Sequence, residues 1–149
     1  MVDFILGDIG HIIQLSVAPV FLLAGVGTKL MVLTNRFARI IDRSRDLEER
    51  ISAQGAASAA DLEELNALDA RAHLINRAVA LATSCGLLVC VVVATLFVGN
   101  ALGFRFETFI AVAFTLAMVS LIGSFVFLLW EISVATKMLA ARTRDRAVR

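Results

Sequence analysis

Between Arg77 and Arg105 the chain carries no charged side chain, and between Glu107 and Glu131 it again carries none. A bilayer core about 30 Å thick needs roughly 20 apolar helical residues to cross it. Ala78–Val98 and Thr108–Leu128 each supply such a stretch, with Arg105-Phe106-Glu107 in the polar turn between them. Two stretches of this kind cannot form the core of a small water-soluble domain. They read as a pair of transmembrane helices. Composition agrees: 59% hydrophobic residues, a mean hydropathy of +0.84 and one proline lie far from the soluble average.

A third apolar segment, Ile9–Thr28, precedes these two. Its leader is acidic (Asp3, Asp8) where a signal peptide is basic, and no small-x-small cleavage site follows, so it is read as a retained first span. Lys and Arg favour the cytoplasmic flanks of membrane helices. The first eight residues hold no basic group, whereas Arg36, Arg39, Arg43, Arg45, Arg50, Arg71 and Arg77 follow the first span. The second turn has only Arg105, and the tail holds Lys137, Arg142, Arg144, Arg146 and Arg149. Three spans with the N-terminus outside and the C-terminus in the cytoplasm satisfy all four flanks.

The charged stretch between the first two spans is itself patterned. Leu33, Phe37, Ile40, Ser44, Leu47 and Ile51 alternate at steps of four and three, one seam of a heptad helix. The pattern resumes with Leu65, Leu68, Ala72, Ile75 and Val79. Between them, Gly55 and its small neighbours mark a reversal, and Ser58 or Asp61 caps the second arm. The expected fold is therefore an all-α integral membrane protein: three transmembrane helices with a long cytoplasmic helical hairpin formed by extensions of helices 1 and 2. As one membrane domain over 1–149, its spans fall at about 9–33, 78–98 and 107–130, with the hairpin at about 34–77 and a tail at 131–149. At 1.5 Å per residue the hairpin projects roughly 25–30 Å. If it closes around residue 57, Arg50 comes near Glu64.

Candidate functional residues follow from helical geometry. On the first span His11, Gln14, Ala18, Gly25 and Lys29 fall within about 60° of one another, a small and polar stripe suited to lining a path. Pro19 removes a helical donor and is the candidate hinge. On the second span Ala78, Ala82, Gly86, Cys90 and Ala94 recur every four residues as a ridge for close helix packing. Lys29 and Glu131, both near the inner boundary, form a candidate ion pair. Arg36, Arg43 and Arg50 step every seven residues as a basic arm that suits anionic lipid heads or a pore mouth, or is simply a solvated edge. Cys85 and Cys90, about 140° apart on a helix, cannot pair with each other or share a metal.

Chemistry-bearing constellations are absent from the sequence. Ser, His and Asp are not grouped as a triad, no set has zinc or di-metal spacing, and Gly25-x-Gly27 lacks the rest of a dinucleotide fingerprint. No catalytic residue, cofactor or metal is expected, and the chain is not read as an enzyme. The stretch Ile12-Ile-Gln-Leu-Ser-Val-Ala-Pro-Val-Phe-Leu-Leu-Ala-Gly-Val-Gly27, followed by Val32-Leu-Thr-Asn-Arg-Phe-Ala-Arg-Ile-Ile-Asp-Arg43, resembles the domain of unknown function 2721 family of small bacterial inner-membrane proteins. That resemblance implies a bacterial inner-membrane location and brings no activity or cofactor. Expected partners are membrane lipids and further copies of the chain, with no nucleic acid. The leading reading is a homo-oligomer whose first helix lines an ion or small-solute path. The alternative is a non-conducting adaptor whose cytoplasmic hairpin binds a protein partner.

Overall fold

The computed structural model describes the backbone of residues 2–102 and 107–147, and side chains at 14, 16–99 and 107–136. The described residues form three helices: α1 (Val2–Gln54), α2 (Ala59–Leu102) and α3 (Glu107–Ala147). Each contains a segment long and apolar enough to cross a membrane. The 53 residues of α1 make a rod of about 80 Å at 1.5 Å each, well over twice a bilayer core. Much of α1 must therefore lie outside the hydrocarbon. Its charged half identifies itself: Arg39, Asp42, Arg45, Asp46, Glu48, Glu49 and Arg50 are all exposed, which lipid does not permit.

Gly55 ends α1. Its φ of 73° is the left-handed conformation, and its N–H donates to the Ile51 carbonyl at 3.1 Å, closing the last turn. Ser58 then starts α2 through a reciprocal cap with Asp61. The Ser58 N–H donates to Asp61 Oδ2 at 3.1 Å, and the Asp61 N–H donates to Ser58 Oγ at 3.4 Å. The reversal expected from small residues thus rests on two separate terminal devices. Pro19 lies inside α1, whose helix continues past it on both sides.

The chain packs as two compact units, Met1–Leu30 with Leu81–Ile122, and Met31–Ala80 with Gly123–Arg149. In the first unit, Val26, Cys85, Val89 and Ala117 form the buried cluster, with Leu22, Leu23, Leu30, Leu88 and Leu121 against it. Its outer surface is apolar as well: Phe21, Leu87, Phe97, Phe109 and Val119 are exposed. An apolar exterior around a core of small residues is the arrangement lipid requires, because packing rather than water exclusion holds helices together there. The exposed hydroxyls of Thr28, Thr95 and Thr115 donate to carbonyls four residues back, at 3.0, 2.8 and 2.8 Å, so each is satisfied within its own helix.

In the second unit, Ile40, Leu47, Leu68 and Ile75 are the buried cluster, flanked by Phe37, Ile51, Leu65, Ala72 and Val79. These are the residues of the sequence seam. Ser124, fully buried on α3, donates from Oγ to the Ala78 carbonyl of α2 at 2.7 Å. Each helix keeps a seven-residue step on its buried face: Val26, Leu33, Ile40 and Leu47 on α1; Leu68, Ile75, Ala82 and Val89 on α2; Ala117, Ser124 and Glu131 on α3. This is heptad packing, with a carboxylate at one core position. Truncating Ile75 to alanine should cost about 2–4 kcal/mol, whereas Leu87→Ala on the exposed face should cost under about 1 kcal/mol. Denaturant unfolding of the detergent-solubilised protein checks the difference.

Candidate functional site: a buried carboxylate among arginines

Glu131 is 1% exposed, at a position where α3 otherwise presents alanine and serine. A carboxylate buried to that degree needs a cationic, hydrogen-bonded partner to remain charged. It has two. Arg36 of α1 donates from Nη1 to Oε2 at 2.6 Å. Arg71 of α2 donates to Oε1 from Nε at 3.0 Å and from Nη2 at 2.8 Å. Each of the three helices contributes one member, so the trio joins all three elements within the second unit. Neither guanidinium is sealed in, since the Arg36 and Arg71 side chains are 42% and 24% exposed. The carboxylate is desolvated while its partners keep a route to water.

One heptad beyond Arg36, Arg43 donates to Glu64 Oε1 from Nε at 3.2 Å and Nη2 at 3.0 Å. Where the sequence sets Arg50 beside Glu64, the structure gives Glu64 an ion pair with Arg43, and Arg50 is exposed. Between the Glu131 trio and the Arg43–Glu64 pair opens a cleft of about 300 Å³, lined by Arg36, Arg39, Ile40, Arg43, Leu68, Arg71 and Glu131. Arg39 is exposed on its rim. Beside Glu131, Trp130 is 57% exposed and meets Phe127 edge to face at 5.6 Å, while the Arg77 guanidinium lies 5.9 Å from the Phe127 ring centre. A tryptophan and an arginine-capped aromatic of this kind are typical of the membrane–water boundary.

The other sequence candidates fall as follows. Gln14, Ala18 and Gly25 are exposed and Lys29 is half-buried; the side chain of His11 lies outside the described residues. A Cβ added at Gly25 would meet nothing within 4 Å. The four-residue row on α2 divides: Ala78 and Ala82 are fully buried, a Cβ at Gly86 would lie 3.7 Å from Val26, and Cys90 and Ala94 are exposed. Steps of four residues advance about 40° beyond a full turn each time, so such a row winds off any straight contact face. Where sequence spacing matches Glu131 with Lys29, the structure gives its two oxygens to Arg36, one heptad further along α1, and to Arg71. Sequence reasoning counted Arg39 and Arg71 only as positive-inside charge. The available signal was the seven-residue step Ala117, Ser124, Glu131, which puts the carboxylate on the packing face. No group of three or more His, Cys, Asp or Glu among the described residues is arranged to hold a metal.

Three helices, each with a segment long and apolar enough to cross a membrane, define a multi-pass α-helical membrane protein. The family described as "Protein of unknown function (DUF2721)" matches residues 16–141, and the chain belongs to it. No curated protein and no solved structure matches the chain.

Glu131→Gln should destabilise the protein by about 1–2 kcal/mol, because both arginines can turn to water. The double change R36Q/R71Q should cost more, about 3–5 kcal/mol, because it strands the buried carboxylate without a cation. Thermal unfolding of both variants in one detergent tests that order.

Proposed function

We propose that the protein is a non-enzymatic homo-oligomer of the bacterial inner membrane in which the α1 faces of neighbouring copies line an ion or small-solute path. The carrying observation is that Gln14, Ala18 and Gly25 are all exposed rather than packed inside the protomer. A glutamine amide on the outside of a membrane helix is poorly accommodated by lipid and is satisfied by another helix or by water. Small residues beside it let a second backbone approach closely, and nothing lies within 4 Å of a Cβ built on Gly25 or Gly27 to obstruct that approach. Association through this face brings the amides of several copies around a common axis.

The basic flanks support an orientation with the N-terminus outside and the C-terminus in the cytoplasm. In that orientation residues 34–77 form a cytoplasmic helical hairpin, its arms joined by the buried seam and the Arg43–Glu64 pair. Those arms are the only part needed by the alternative reading, a non-conducting adaptor.

Native mass spectrometry of the protein released from nanodiscs should show a closed assembly of four or more copies. Gly25→Leu and Ala18→Leu should then reduce ion flux into proteoliposomes by about tenfold or more, since bulk is added where the copies and path meet. A monomer or dimer, or unaltered flux in both variants, overturns the path and leaves the adaptor.

A further inference from the structure

The arginine cleft of the second unit has more positive charge than its own carboxylates neutralise. Four arginines line it (Arg36, Arg39, Arg43 and Arg71) against Glu131, and Arg43 also has Glu64 outside the lining. Four positive charges against two negative ones leave a surplus of two. Arg36, Arg39 and Arg43 follow one another at steps of three and four along α1, so like charges crowd one helical face, which by itself is unfavourable. Glu131 holds Arg36 and Arg71 on one side, and Glu64 holds Arg43 on the other. Arg39 stands between these anchors, exposed and engaged by no acidic side chain among the described residues.

We propose that this cleft binds a phosphate-bearing anion. Arginine forks match phosphate oxygens two at a time, and the guanidiniums here are held in place by ion pairs instead of by the ligand. Arg36 spends only Nη1 on Glu131, and Arg71 spends Nε and Nη2, so each keeps further donors. The volume of about 300 Å³ is at the lower end of small-molecule sites and admits a head group as well as a free ion. Trp130, next in sequence to Glu131 and exposed, places the cleft at the depth of lipid phosphates. Basic pockets between membrane helices at that depth suit anionic phospholipid heads. Neither oligomerisation nor a conducting path is needed for this site.

The full-length protein in a non-ionic detergent is titrated calorimetrically with two probes, inorganic phosphate and soluble dihexanoyl phosphatidylglycerol. Two variants accompany it: Arg39→Gln, which removes the unengaged arginine of the cleft, and Arg45→Gln, which removes an exposed arginine of α1 that does not line it. Neither residue forms an ion pair among the described residues, so both variants keep the fold. At least one probe should bind the unaltered protein, R39Q should weaken it about tenfold, and R45Q should change it less than about twofold. Binding of the lipid alone identifies a head-group site; binding of phosphate with comparable strength identifies a free phosphate or phosphorylated solute. Absence of binding with either probe, or a loss that is equal in the two variants or absent from R39Q, overturns the proposal.

Discussion

A carboxylate on the packing face of a helix has to be neutralised by whatever that face meets, and in this protein the requirement ties three helices together. Glu131 stands where α3 would otherwise continue its run of small residues, and only the convergence of Arg36 and Arg71 makes its burial tolerable. Such a trio need not add net stability, because desolvation offsets most of the attraction. Its consequence is geometric. Heptad seams can slide by seven residues and present equivalent apolar faces, whereas one charged group at the seam is satisfied in few registers.

The surface of each unit follows from the solvent its composition demands. Around Val26, Cys85, Val89 and Ala117 the exterior is aromatic and aliphatic, and hydroxyls turn inward to their own carbonyls. Around Ile40, Leu47, Leu68 and Ile75 it is dense in charge, and the core side chains are larger. In lipid, small residues allow the close backbone contact that holds helices together; in water, large aliphatic side chains contribute roughly 2 kcal/mol each by leaving it. One seven-residue step serves both regimes with different side chains.

Much of the candidate chemistry was hidden in the sequence by its own regularity. Lys29, Arg36, Arg43 and Arg50 recur every seven residues, so any acidic partner of α1 has a second candidate one heptad away. Glu131 is matched with Lys29 by spacing and is held by Arg36; Glu64 is matched with Arg50 and is held by Arg43. The spacing alone cannot choose between such neighbours. The choice is made only when the helices lie against one another, and by Arg71, which enters from another helix.

The sequence by itself determined the class, because charge-free stretches of bilayer length leave no soluble alternative, and it determined the seams, because Leu47, Leu68 and Ile75 announce a packing face by period alone. It also contained the reversal, since Gly55 and Ser58 act through local backbone geometry. Tertiary structure decided the pairing of charges and the division of the small-residue ridge into buried Ala82 and exposed Cys90. Those depend on helix register and on the 40° drift of a four-residue row, quantities that exist only once the helices are laid against one another.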